Sequence, residues 1–214
     1  MRSSNPVRTT HLAVRLALWA LVVAAILFCI AIVDRPLADF VASHPTRIRG
    51  LRFVIGAPEL LLGLALVAPI IGWKQRRSPV GWDTIAASCS ISIVWTAVVV
   101  ELVLKRVFGR SGPTSWTGHQ EFAFHWLRGR QAELQSMPSG EAAILSAFFA
   151  VLWVLLPRWR WLYIFIGSVE AIGLIGLNWH FVSDVIAGVA IGVVGAGAAL
   201  RLTGRGLTSP SQRG

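Results

Sequence analysis

The chain has 214 residues, of which 55% are hydrophobic and only 14% are charged, and its mean hydropathy is +0.64. This composition excludes a water-soluble globular domain and is typical of an integral membrane protein. The formal net charge of +10 would suggest nucleic acid binding in a soluble protein. Here about half of the cations lie in short connectors, where anionic lipid head groups attract them, so we expect a lipid bilayer and no nucleic acid as partner.

Six apolar segments are long enough to cross the roughly 30 Å of hydrocarbon, which takes about 20 helical residues. They are residues 12–33, 53–73, 84–104, 141–156, 161–177 and 181–202. The predicted fold class is therefore all-α: a polytopic membrane protein with six transmembrane helices in one bundle. We expect residues 1–202 to form this single domain, and residues 203–214, rich in Gly, Ser and Pro, to form a disordered tail.

An even number of spans places both termini on one side of the membrane. Lys and Arg residues in the short connectors favour the cytoplasm for that side, in a bacterial-type inner (plasma) membrane. The longer connector after the third span then lies on the periplasmic or extracellular face.

The third span ends in a basic stretch, KRVFGRSGP, at residues 105–113. Lys105, Arg106 and Arg110 together supply the positive field that a phosphate dianion requires. Cations at a helix end also commonly anchor it to lipid head groups. Glu101, four residues before Lys105, is equally placed for a simple ion pair. The stretch is thus a candidate substrate site or an anchor.

The fourth span begins in a second stretch, PSGE, at residues 138–141. A helix that starts here directs unpaired N–H groups and the positive end of its dipole outward, which suits an anion. Ser139 is placed to cap the helix or to donate its hydroxyl to a phosphate oxygen, and Gly140 lets a ligand approach the backbone. The alternative is an ordinary N-cap with Glu141 in the first turn.

The sixth span begins in a third stretch, HFVSD, at residues 180–184. His180 and Asp184 are four residues apart at a helix start, so both side chains point to one face and the carboxylate can accept a hydrogen bond from the imidazole. The other ring nitrogen then serves as a nucleophile toward phosphorus or as a base for water. The alternative is an interfacial His bonded to a helix-capping Asp. All three stretches fall on one side of the predicted bundle, which favours an anion site there.

The order and spacing of these stretches, over about residues 104–188, resemble the three-part signature of the type 2 phosphatidic acid phosphatase family. That signature is a Lys, six intervening residues and Arg-Pro, then Pro-Ser-Gly-His, then Ser-Arg with a His and an Asp beyond it. The matching residues are Lys105, Pro113, Pro138, Ser139, Gly140, His180 and Asp184. Four positions differ: Gly112 replaces Arg, Glu141 replaces His, and Gly173 and Leu174 replace Ser-Arg.

The resemblance implies that His180 is a nucleophile that forms phosphohistidine, with Asp184 as its orienting partner. Lys105, Ser139 and Gly140 would form part of the phosphate cradle. Glu141 would replace the family's general acid, with His119 and His125 as alternative proton donors. Arg110 is the expected substitute for the missing Arg, and Arg128 or Arg130 are further possibilities in the same loop.

The implied function is that of a membrane phosphatase or phosphotransferase acting on a lipid or polyprenyl phosphate or diphosphate at the outer membrane face. The alternative is a catalytically impaired relative that binds or transports phosphorylated lipid. No cofactor is implied, and the acids and histidines form no metal-ligand pattern in the sequence. The sequence identifies no protein partner.

Overall fold

The computed structural model describes residues 6–44 and 82–204, and the side chains of residues 12–44 and 84–204. The predicted second span at residues 53–73 lies outside the described residues. Residues 205–214, which make up most of the predicted disordered tail, also lie outside them.

The regular structure of the described residues is helical. In chain order the α-helices are α1 (Pro6–Phe28), α2 (Asp34–Ser43), α3 (Trp82–Ala97), α4 (Lys105–Phe108), α5 (Pro113–His119), α6 (Gly140–Leu155), α7 (Arg160–Gly176) and α8 (Val182–Leu202). Two π-helical segments, Cys29–Val33 and Val98–Leu104, join α1 to α2 and α3 to α4 without a break. Short 3₁₀ turns occupy Ala132–Leu134 and Pro157–Trp159.

Within residues 6–44 and 82–204, three continuous helices are long and apolar enough to cross a membrane: Leu12–Ser43, Thr84–Phe108 and Val182–Leu202. They correspond to the predicted first, third and sixth spans. The predicted fourth and fifth spans are helices α6 and α7, of 16 and 17 residues, which are shorter than a perpendicular crossing requires. The all-helical prediction is therefore confirmed for the described residues, and the count of six spans stays a prediction.

Helices α3, α6 and α8 pack against one another and form the centre of the bundle. Three glycines of α8 stand at these contacts, at positions 188, 192 and 195. A Cβ at Gly188 or Gly192 would overlap the backbone of α6, and a Cβ at Gly195 would overlap the Thr96 hydroxyl of α3. The absence of side chains thus lets the helices approach closely, as small residues do in membrane bundles.

The site end of the bundle is where α4 ends and where α6 and α8 begin. Residues 109–139 form a long connector that folds over this end. Gly109 begins it with a φ of +51°, and a Cβ there would overlap the His125 carbonyl oxygen, so the turn requires glycine. The Ser111 N–H donates to the Ala123 carbonyl and the Ser136 N–H donates to the Arg110 carbonyl, each at 3.1 Å. These bonds hold Arg110 between two segments of the connector.

Candidate active site

His180 lies in the turn between α7 and α8, with both ring nitrogens engaged and 8% of the residue exposed. Nδ1 is 2.9 Å from the carbonyl oxygen of Ser136, and Nε2 is 3.0 Å from Oε2 of Glu141. A carbonyl oxygen only accepts hydrogen bonds, so Nδ1 carries a hydrogen. One further proton is therefore shared between Nε2 and the Glu141 carboxyl group.

The charge state of His180 follows from its surroundings. Burial by itself lowers the pKa of this imidazole, because it disfavours the charged form. The carboxylates of Asp184 and Glu141 outweigh burial and raise the pKa of His180 to about 9. The resting ring is thus protonated at neutral pH, as an imidazolium paired with Glu141.

Asp184 is fully buried in the first turn of α8 and is bound to the protein around it. Its Oδ2 accepts hydrogen bonds from the Ser136 hydroxyl at 2.6 Å and from the Phe181 N–H at 3.0 Å. The His180 Nδ1 lies 3.9 Å away, so the direct hydrogen bond expected from the four-residue spacing is not formed. The reason is that Ser136 stands between them: its carbonyl takes the imidazole hydrogen and its hydroxyl binds the carboxylate.

Arg110 is 1% exposed and bonds to two carboxylates rather than to the open site. Its Nη1 donates to Oδ1 of Asp184 and, at 2.6 Å, to the Ser183 hydroxyl. Its Nη2 donates to Oδ2 of Asp34 at 2.8 Å. Arg110 therefore contacts the Asp184 oxygen that is turned away from His180. A role in binding substrate stays a prediction, and it would require Arg110 to leave these partners.

Aromatic rings complete the enclosure of the Arg110 guanidinium. Its Cζ lies 4.6 to 5.1 Å from three ring centroids, those of Phe122, Phe124 and Phe181. Rings at this distance attract a cation with their negative faces. The aromatic part of the connector thus covers a buried ion cluster.

The predicted phosphate cradle at the start of α6 holds a carboxylate of the protein itself. Lys105 pairs with Glu101 at 2.7 Å, and a Cβ on Gly140 would overlap the Glu101 carboxylate and lie 3.3 Å from the Lys105 Nζ. The Ser139 hydroxyl accepts from the Ala142 N–H at 3.3 Å and donates to Glu141 at 3.2 Å. Ser139 thus acts as an N-cap in this structure, which is one of the two roles predicted for it from the sequence.

The positions where the sequence departs from the family signature have specific surroundings. Leu174, at the place of an Arg, is fully buried and packs against Ala142 and Val185. Gly112, at the place of the other Arg, precedes α5 and donates its N–H to the Glu133 carbonyl. The alternative proton donor His125 pairs with Glu121 at 2.7 Å in the connector. The structure therefore brings Glu141, rather than His125, to His180.

Sequence reasoning missed two residues that hold the site together, Ser136 and Asp34. Asp34 is an acidic residue within a long apolar segment, a position that by itself signals a functional or paired group. Ser136 carries no such signal, because its role depends on the fold of the connector.

Comparisons with known proteins agree with the signature. The PAP2 superfamily profile matches residues 86–206. Two curated relatives called lipid A 1-phosphatase, from Rhizobium johnstonii and Rhizobium etli, are 34% identical over 119 residues. The aligned part is 56% of this chain and 47% and 50% of theirs, so it spans about half the length of the curated relatives. No solved structure matches the chain. The match over more than half of its length shows that the chain belongs to the PAP2 superfamily, the family of type 2 phosphatidic acid phosphatases.

Proposed function

We propose that this protein is a membrane phosphatase that removes the phosphate of a lipid phosphomonoester, with His180 as nucleophile and Glu141 as general acid. The contact of His180 Nε2 with Glu141 Oε2 at 3.0 Å carries the proposal, because it joins a nucleophile and a proton donor at the family's two positions. The names of the two relatives make lipid A 1-phosphate the first substrate to test.

The reaction begins when the shared proton moves to Glu141 and leaves a lone pair on Nε2. That lone pair forms a bond to phosphorus while the bond from phosphorus to the ester oxygen breaks. The leaving alkoxide takes the proton of Glu141, so the products are phosphohistidine and an alcohol. In the second step the Glu141 carboxylate takes a proton from water, the water oxygen attacks phosphorus, and the P–N bond breaks to release phosphate.

The other residues of the site bind and orient. Lys105 and the N–H groups at the start of α6 would bind the phosphate oxygens, after the Glu101 carboxylate has moved away. Ser136 fixes the imidazole tautomer through its carbonyl, and Asp184 supports the positive charge of the ring. We place this site on the periplasmic or extracellular face of a bacterial inner membrane.

The test is phosphate release by the purified protein in detergent from a panel of lipid A 1-phosphate, phosphatidic acid, and a polyprenyl monophosphate and diphosphate. We expect turnover of at least one substrate and a loss of about 10⁴-fold or more in His180→Ala, since the nucleophile is removed. Rapid acid-free quenching with ³²P-labelled substrate should trap labelled protein in the wild type only.

His125→Ala is the matched control, because this histidine also pairs with a carboxylate but lies in the connector, about a third exposed. It should keep wild-type turnover. Turnover that survives in His180→Ala would overturn the mechanism. If no substrate is turned over but lipid phosphate still binds in a Lys105-dependent way, the protein is instead a non-catalytic binder.

A further inference from the structure

Asp34 connects the N-terminal helix to the start of α8. It lies where the π-helical segment Cys29–Val33 passes into α2, and it is 1% exposed. Its Oδ1 accepts from the Ser183 N–H at 3.1 Å, and its Oδ2 accepts from the Ser183 hydroxyl and from Arg110. Asp34 lies outside the residues 86–206 that match the superfamily. A side chain from outside the matched region therefore accepts a hydrogen bond from the first turn of the helix that carries Asp184.

Arg110 is shared between two buried carboxylates, with one terminal nitrogen for each. Nη2 binds Asp34 and Nη1 binds Asp184. In a buried cluster, removal of one partner leaves an uncompensated charge, and the remaining groups rearrange around it. The position and charge of Asp34 thus set how strongly Arg110 acts on Asp184.

We propose that Asp34 is a positioning residue for the reaction: through Arg110 and Ser183 it fixes Asp184 and the charge balance around His180. The proposal rests on the proposed role of His180. Asp34 and His180 both line a small cavity of about 10 Å³ beside the turn before α8. The two residues are therefore near neighbours. The N-terminal helix is then part of the site and not merely a membrane anchor.

Charged groups from five elements face this cluster. They are Asp34 from the N-terminal helix, Glu101 and Lys105 from the continuous helix Thr84–Phe108, Arg110 from the connector, Glu141 from α6 and Asp184 from α8. The Glu141 carboxylate in turn acts electrostatically on Glu170 of α7. If Asp34 becomes neutral, Arg110 retains only Asp184 as its anion, and the cluster gains one positive charge. The His180 imidazolium is then less stable, so its pKa falls from about 9 toward the ordinary value of 6.5.

The test compares Asp34→Asn with the wild type in detergent micelles. The pKa of His180 is measured from the ¹³C signals of labelled histidine, and the signal is assigned by its absence in His180→Gln. We expect a lower pKa in Asp34→Asn, together with a fall in kcat of roughly ten- to a hundredfold at little change in KM. Asp34→Glu keeps the charge and should keep the pKa near that of the wild type.

Asp39→Asn is the matched control, since Asp39 lies in the same helix α2 but is exposed and bonds to the Trp116 indole at 2.8 Å. It should change neither kcat nor the pKa. If Asp34→Asn lowers activity and thermal stability while the pKa of His180 stays at its wild-type value, Asp34 is only a structural residue and the proposal is overturned.

A double variant covers the case in which Asp34→Asn does not fold. Asp34→Asn with Arg110→Gln removes both buried charges and leaves Asp184 without its cation. Because Asp34 acts through Arg110, the proposal requires the pKa of His180 in the double variant to match that in Arg110→Gln alone, and a difference between the two contradicts it. The NMR readout does not depend on turnover. A wild type without phosphatase activity would therefore refute the proposed function, while the pKa of His180 would still show whether Asp34 sets the charge balance around it.

Discussion

Three of the cations expected at the phosphate site, Lys105, Arg110 and His180, have carboxylate partners in the structure. Lys105 pairs with Glu101, and His180 pairs with Glu141. Arg110 is held between Asp34 and Asp184. A phosphate group that enters the site must therefore displace a carboxylate before it contacts any of these three cations. When the phosphate separates His180 from Glu141, the proton that they share moves to Glu141.

The pH dependence of activity tests the role of that shared proton. The reactive form has a neutral imidazole and a protonated Glu141, which together hold as many protons as the resting imidazolium and carboxylate. We expect kcat/KM to stay level around neutral pH and to fall as pH rises through about 9, where the last proton of the pair is lost. If Glu141 were not the acid, kcat/KM would instead rise toward pH 9.

The substitution Glu141→Gln should invert this profile. Without the carboxylate the pKa of His180 is lower and no acid proton remains, so activity rises with pH as the imidazole becomes neutral. We expect kcat to fall about a hundredfold for a lipid phosphate ester, and less than tenfold for p-nitrophenyl phosphate, whose leaving group needs no proton. Equal losses for the two substrates would exclude Glu141 as general acid.

At the scale of single elements, the π-helical segment Val98–Leu104 positions the side chains that cover the start of α6. Glu101 lies within it and Lys105 directly follows it. π-Helical turns of this kind are frequent at functional sites. Together the two side chains cover Gly140, where a phosphate would approach the first N–H groups of the helix. Glu101 thus competes with substrate for Lys105.

Glu101→Gln is expected to remove this competition. KM for a lipid phosphate should fall about two- to fivefold with little change in kcat, a range that matches the modest strength of partly exposed ion pairs. Steady-state kinetics with the preferred substrate is the measurement. Glu133→Gln, which changes an exposed carboxylate in the connector over the site, is the control and should leave KM unchanged. A higher KM in Glu101→Gln would mean that Glu101 holds Lys105 in place for the substrate.

The helix boundaries show how much of the fold could be predicted from the sequence. The three stretches lie at helix ends in the structure, because Pro, Gly and charged residues interrupt apolar segments, and these ends meet as expected. The side-chain contacts among the three stretches could not be predicted from their spacing. The spacing of His180 and Asp184 favoured a direct bond, but Ser136 occupies that place. A cation near a vacant Arg position suggested Arg110 as a phosphate ligand, yet Asp34, far away in sequence, binds it.

At the scale of the whole molecule, the two ends of the bundle should lie on opposite sides of the membrane. The site end carries the connector with Arg128, and the other end carries the turn with Arg158. Both side chains are exposed, and both free cysteines, Cys29 and Cys89, are buried.

A labelling experiment tests this topology. With Cys29 and Cys89 replaced by Ser, we expect a membrane-impermeant maleimide to label Arg128→Cys in intact cells and to label Arg158→Cys only after the cells are permeabilised. The reverse pattern would put the site on the cytoplasmic side. Labelling of both in intact cells would contradict the predicted orientation of the bundle.

The glycines of α8 also limit how this protein can open. At Gly188, Gly192 and Gly195 the helix α8 itself has no side chain that could change rotamer and make room. Rotating or sliding α8 would drive its backbone against the backbone of α6 near Gly188 and Gly192, and against the Thr96 hydroxyl of α3 near Gly195. We therefore expect the three central helices to move as one block, and a substrate entering sideways from the bilayer to displace the outer helices or the connector instead.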